Sequence, residues 1–238
     1  MDKAASPVLL GGMRVIEQRF RMIANNVANM STGGFRAETL LSSEHVSATG
    51  GASVSMPRLG GTVLRAEPGE VRATGAALDF AIVGPGFFNV SDADGTPFLT
   101  RTGSFQRSAE GNLQTAEGFD VLDAGGAPIA VPEGEGPVTA APDGTLARDG
   151  AVFGQLGVML SDGPFERRSA TVFAMPADVR AAETASIRQG MLEGSNVSPV
   201  QELALMIEAS RAYELAQQLV EREDQRVLNV IETFARQQ

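Results

Sequence analysis

The chain of 238 residues has no cysteine, which removes disulfides and thiolate metal sites and is compatible with an oxidising compartment. It has no tryptophan and one tyrosine, so the twelve phenylalanines are its main aromatic material for a core. Its single histidine, His45, has no second histidine or cysteine to complete a metal set, and it alone is available to a serine-based triad. No apolar run is long enough to span a bilayer, and no charged-then-apolar leader is visible, so Sec export is not expected. Basic residues are also in short supply, 19 against 29 acidic ones, and the net charge of −10 with no basic stripe argues against a nucleic-acid binder. The deficit is uneven: residues 1–40 carry five basic and three acidic side chains, whereas residues 41–187 carry nine and eighteen.

What the chain does have is a patterned N-terminal stretch. Ser6-Pro7 is a helix start, because a serine oxygen accepts from orphan first-turn N–H groups and proline has none to leave unpaired; Gly33-Gly34 is the matching stop. Between them Leu9, Met13, Ile16, Phe20, Ile23, Val27 and Met30 recur at spacings of four and three, one apolar seam on a helix about 36 Å long at about 1.5 Å per residue. The seam predicts a partner helix or, as for most amphipathic helices, packing on the chain's own core. Asn25, Asn26 and Asn29 are mediocre helix formers lying off it, and they predict a second, polar contact surface towards other subunits.

The chain ends in a second stretch of the same kind. Ser198-Pro199 repeats the Ser-Pro opening, and Leu203, Met206, Tyr213, Val220, Val227, Ile231 and Phe234 continue a seven-residue repeat with Ser210, Gln217 and Asp224 at alternate seam positions. Between the ends, Leu78–Val83 and Phe87–Val90 alternate, and Asp-Gly or Gly-Gly marks at 94, 125, 143, 149 and 162 separate further short runs of Val, Leu, Ile, Phe and Thr. These predict many short antiparallel strands, with Phe80, Phe87, Phe88, Phe98, Phe105, Phe119 and Phe153 as core fillers. Strict alternation puts one of Phe87 and Phe88 inside and the other outside.

The expected fold class is α+β, with N- and C-terminal helices forming a coiled-coil-like assembly domain around a central antiparallel β-rich domain. Its expected segments are an assembly helix and turn at 1–40, a Ser/Gly/Ala-rich linker or arm at 41–60, the β-rich domain at 61–175, a return linker at 176–197 and an assembly helix at 198–238. No catalytic constellation, cofactor or metal site emerges. Gly84-Pro85-Gly86 lacks the third glycine of a dinucleotide fingerprint and leads into a strand, and Asp92-Ala93-Asp94-Gly95 has its glycine too early for a calcium loop. Glu133 and Glu135 sit in a Pro/Gly-rich loop with no aromatic residue to bind sugar.

Three separated blocks carry a resemblance. Ile23-Ala24-Asn25-Asn26-Val27-Ala28-Asn29 with Ser31-Thr32-Gly33-Gly34-Phe35 resembles the N-terminal signature of the bacterial flagellar rod and hook axial proteins, with Val27 for a leucine and Gly33 for a threonine. Leu78-Asp79-Phe80-Ala81-Ile82-Val83, Gly84-Pro85-Gly86-Phe87-Phe88-Asn89-Val90 and Thr100-Arg101-Thr102-Gly103-Ser104-Phe105 resemble its middle blocks, and Leu192-Glu193-Gly194-Ser195-Asn196-Val197 its C-terminal core. The resemblance implies a structural subunit of the flagellar basal-body rod, of the proximal rod type, contacting copies of itself and other rod proteins through both seams. It further implies passage through the flagellar type III export apparatus without a cleaved signal, and residence in the basal body within the periplasmic space. The alternatives are a distal rod or hook-type member of the same family and, from another class, an enzyme or adhesin on a helical oligomerisation stalk.

Overall fold

A computed structural model describes residues 5–49, 52–134, 136–182 and 184–235, with side chains described except at 5–10, 42–59, 227, 230, 231 and 233–235. Helix α1 is described over Ala5–Ala28 and helix α2 over Pro199–Ala235. Proline at the first position of α2 needs no acceptor, and the Glu202 N–H closes the first turn on the Ser198 carbonyl at 3.0 Å. After Ala28, the Thr32 N–H donates to the Asn29 carbonyl at 3.1 Å and the Phe35 N–H to the Thr32 carbonyl at 3.2 Å, so α1 unwinds into turns before the glycine pair. Gly34 then takes φ +70°, where a Cβ would lie 2.5 Å from the Thr102 backbone nitrogen.

The chain forms two compact units. One is helical, built from α1, α2 and residues 38–63; the other is β-rich, built from residues 29–37 and 64–197. In the helical unit α1 and α2 pack together, and strands β1 (Glu38–Thr49) and β2 (Ala52–Leu64) form a two-stranded sheet. Composition predicted a linker or extended arm at 41–60, and the described residues there, 41–49 and 52–60, are extended and pair as two strands. Serine, glycine and alanine weaken the side-chain alternation that marks a strand, but the ladder is made by backbone groups that every non-proline residue carries.

The β-rich unit contains β3 (Val71–Ala73), β4 (Phe80–Val83), β5 (Phe87–Ser91), β6 (Pro97–Thr100), β7 (Phe105–Arg107), β8 (Leu113–Thr115), β9 (Asp120–Val121), β10 (Val138–Ala140), β11 (Thr145–Arg148) and β12 (Ala151–Gln155). After them come β13 (Val158–Leu160), β14 (Val172–Ala174), β15 (Arg180–Ala181), β16 (Ser186–Gln189) and β17 (Met191–Glu193). The main sheet runs β14-β6-β5-β9-β8-β7, with β13 joining β5 to β15. Strand β5 is its hub, pairing antiparallel with β6 (Phe88 opposite Thr100), β9 (Val90 opposite Val121) and β13 (Phe88 opposite Val158). Strands β10, β11 and β12 form a separate antiparallel sheet.

Two expectations for this unit need correction. Residues 176–197 are not a return linker: β16 pairs with β4 and β17 with β3, and Ile187 joins the core. Polar residues, with Glu193 itself buried, interrupt the apolar pattern there. Nor do Phe87 and Phe88 divide between inside and outside, because both are buried, at 9% and 0% exposure. They lie on opposite faces of β5, and each face is covered. Phe88 stacks edge-on against Phe105 at 5.2 Å in the larger cluster with Phe80, Val90 and Leu113, while Phe87 meets Phe173 at 5.6 Å in a second cluster with Leu99 and Met159. Phe98, Phe119 and Phe153 pack only at the edge of the larger cluster.

Candidate assembly surface

Helices α1 and α2 run antiparallel, since Asn26 bonds Glu202 while Arg19, two turns earlier, bonds Glu208 through both guanidinium nitrogens at 3.3 Å. On α1, Ile23 is fully buried, Met13, Ile16 and Val27 are at least half-buried, and Phe20 and Met30 are exposed. On α2, Met206 and Val220 are half-buried, whereas Leu203 and Tyr213 are exposed. The side chains of Leu9, Val227, Ile231 and Phe234 lie outside the described residues. The inward line of α2 is Glu202, Ala209 and Ala216 alternating with Met206 and Val220, one residue out of phase with Leu203, Ser210 and Gln217. Small residues let the helices approach closely but carry little apolar weight, so a reading led by large side chains misplaces the line.

The asparagines divide. Asn26 does not lie on an outer surface; it is fully buried, donating to the Glu38 carbonyl at 3.0 Å and to Glu202 Oε2 at 3.3 Å while its own oxygen accepts the Glu38 N–H at 3.1 Å. It stands three residues after Ile23, hence on the same side of the helix. That offset was the signal available in the sequence. Asn29 is half-buried and accepts the Thr32 hydroxyl at 3.2 Å, and Asn25 is exposed.

In the β-rich unit the three recognised blocks meet at one buried ionic node. Glu193 Oε2 takes the Arg101 Nε–H at 2.6 Å, and Oε1 lies 2.9 Å from Arg36 Nη2 and accepts the Gly69 N–H at 2.9 Å. Arg101 also donates to the carbonyls of Ile82 (2.8 Å), Gly84 (2.9 Å) and Gly86, and Arg36 Nη1 to those of Ala66 (3.2 Å) and Glu67, while the buried Arg36 Nε finds no hydrogen-bond partner among the described residues. Burial pulls the Arg36 guanidinium below the ordinary arginine pKa; Glu193 opposes that pull and Arg101 adds to it. Asn196 fastens the same corner, accepting the Ala37 N–H at 2.6 Å and donating to the Glu67 carbonyl at 2.8 Å. Phe35 is fully buried beside Val197, under the Arg167 guanidinium at 4.6 Å. Gly103 is required because a Cβ there would lie 1.7 Å from the Phe80 carbonyl oxygen. Sequence reasoning quoted Arg101, Glu193, Asn196 and Phe35 as motif letters without assigning them this role.

The node is a scaffold, with buried charges joined to one another and to backbone, and the paired helices leave large apolar side chains exposed. Residues 81–153 match the family described as flagellar hook protein FlgE/F/G D1 domain, and residues 188–231 match flagellar basal body rod FlgEFG protein C-terminal. The chain is 34% identical over 232 residues to the flagellar basal-body rod protein FlgF of Rhizobium meliloti (strain 1021), covering 95% of this chain and 96% of that protein. It is 39% identical over 213 residues to FlgF of Mesorhizobium japonicum, covering 87% and 88%. The chain belongs to the flagellar basal-body rod protein family. Similarity extends to the FlgG rod protein of Agrobacterium fabrum at 29% identity over 256 residues, covering 90% of this chain and 93% of that protein. Within this rod-protein chain the Glu193 node lies where the family's N-terminal, middle and C-terminal blocks converge. No helix among the described residues is long and apolar enough to cross a membrane.

Proposed function

We propose that the chain is a structural subunit of the bacterial flagellar basal-body rod, of the proximal FlgF type, and that it polymerises through its terminal helices. The observation that carries this reading is identity of 34% and 39% to two FlgF rod proteins across most of the chain. The helical unit supports the finer part. Helices α1 and α2 belong to it and pack together, which suits an assembly domain of coiled-coil character, and large apolar side chains remain on its surface, among them Phe20, Leu203, Ile207 and Leu219. Burying such side chains between subunits contributes about 1.5–3 kcal/mol each when complete. The β-rich unit supplies lateral contacts. The chain works without a cofactor or catalysis, reaches the periplasmic space through the flagellar type III apparatus without a cleaved signal, and meets copies of itself and other rod and hook proteins in the basal body.

Deleting the chain from its host tests the reading. The deletion strain is expected to lose motility, hook and filament, and expression in trans to restore all three with the chain present in isolated basal bodies. A fully motile deletion strain overturns it.

A further inference from the structure

The last segment of the β-rich unit closes what its beginning and middle leave open. Among the described residues β3 and β4 have one ladder partner each, β17 and β16, so neither has a ladder until residues 186–193 are in place. Ile187 enters the larger core cluster, and its N–H donates to the Pro142 carbonyl at 2.8 Å. Gln189 ties three strands and loops together, donating to the Ala77 and Val138 carbonyls at 2.7 Å each and accepting the Ala140 N–H at 3.0 Å. The Glu193 carbonyl takes the Gly34 N–H at 2.8 Å, in addition to the contacts of its carboxylate with Arg36, Arg101 and Gly69. These contacts reach far along the chain: 92 residues separate Arg101 from Glu193, 124 separate Gly69 from Glu193, and 159 separate Ala37 from Asn196.

We infer that residues 186–197 are a closing strap: the β-rich unit stays open until they dock, so a chain that emerges N-terminus first keeps this unit unfolded until residue 197 of 238 is free. The inference goes beyond the rod-subunit reading and does not depend on it. Charge is the first reason. Before the strap docks, Arg36 and Arg101 lack the carboxylate they share, and burying two neighbouring cations without it is strongly unfavourable, so both guanidiniums keep their water. The carbonyls that Arg101 would hold, those of Ile82, Gly84 and Gly86, belong to β4 and the turn into β5, so the open site reaches the hub strand itself. Chain separation is the second reason. Hairpins such as β7–β8 and β11–β12 form locally, but loop-closure entropy opposes each long-range pairing until its contacts are made. Gly34, Phe35 and Ala37 wait as well, since Glu193, Val197 and Asn196 hold them. The first residues after α1 and the last before α2 are therefore fixed in one step.

The test uses the full chain with a protease site inserted after the exposed Thr184, between β15 and β16, and cut once the chain has folded. While the two pieces stay together, hydrogen exchange is expected to match the uncut chain. Once they are separated, the amides of β5 and β9 and those of Gly34 and Ala37 in the larger piece are expected to exchange at least about a hundredfold faster, all together. Adding the smaller piece back should restore protection. The same piece carrying Glu193→Gln should need a concentration at least about tenfold higher, and because its α2 is unchanged the difference reports the node. A larger piece that keeps β5 and β9 protected by itself overturns the strap, and so does equal recovery with the Glu193→Gln piece. Pulse-labelled refolding of the uncut natural chain needs no insertion: β5, β9 and β17 amides should gain protection in one phase. Protection of β5 and β9 ahead of β17 overturns the inference. A motile deletion strain would end the rod reading and leave each of these results as it stands.

Discussion

The two units bury polar side chains in different ways, and the difference separates what the chain holds together alone from what it leaves for a neighbour. In the β-rich unit, Glu193 is enclosed by two guanidiniums that also donate to backbone carbonyls, with Arg36 Nε left unpartnered, and both faces of the hub strand are covered by phenylalanine clusters. In the helical unit the buried polar pair is Asn26 with Glu202, and the apolar stock is larger than one helix pair can cover. The first unit covers both faces of its hub strand with its own side chains. The second has a satisfied inner line and a surplus outside.

The strongest way to break this comparison is at Glu193. Alanine there leaves Arg36 and Arg101 buried without their carboxylate, and the β-rich unit is expected to lose about 3–5 kcal/mol, near the upper end because two cations are stranded. Urea denaturation of the full chain reads the loss; a shift under about 1 kcal/mol would mean that backbone carbonyls alone suffice. Phenylalanine truncation on β5 comes next. Phe88→Ala is expected to cost about 3–5 kcal/mol and Phe87→Ala the low end of that range, because each fills a cluster on its own face. An unchanged midpoint for Phe87→Ala would show that the second face is not closed.

How far these features could be read from the sequence depends on what carries the information. Turn chemistry was legible: Asp92 accepts the Asp94 and Thr96 N–H groups at 3.1 and 2.8 Å and closes the β5–β6 hairpin at its Asp-Gly mark. So were a helix near each end of the chain and the Ser198-Pro199 opening of the second. The strand pair at 38–64 was hidden, because small residues there mute the alternation. The face of Asn26 was misjudged, because an asparagine reads as surface until its backbone partner, Glu38, is known. The node was visible only as letters. No local pattern announces that Arg36, Arg101 and Glu193, from the beginning, middle and end of the chain, share one buried site.

A smaller effect sharpens the helical side of the comparison. Asn26→Ala removes the amide that bonds both backbone groups of Glu38 and donates to Glu202, and an expected loss of about 1–3 kcal/mol follows from leaving those buried groups short of a partner. The loss should be confined to the helical unit. Hydrogen exchange at the Glu38 amide should accelerate while amides of β5 stay protected, and equal acceleration in both units would show that the two do not respond separately.

The smallest expected change in monomer stability is the most informative about the surplus. Leu215 lies on α2 and is 61% exposed, so Leu215→Ser gives up little buried area and replaces one tolerated helix residue by another of somewhat lower propensity. Monomer stability should move by no more than about 0.5 kcal/mol, the ordinary range for a surface substitution away from caps and packed contacts. Self-association through the helical unit, as proposed, should nevertheless weaken, because an exposed leucine is then missing from its surface. Ile23, fully buried within the chain, offers the contrast: a polar residue there damages the monomer before any assembly step. Thermal melts of dilute monomer, set beside sedimentation at rising concentration, separate the two. A Leu215→Ser monomer that lost several kcal/mol would place this leucine inside the chain's own core and remove the distinction between a closed unit and one with apolar surface to share.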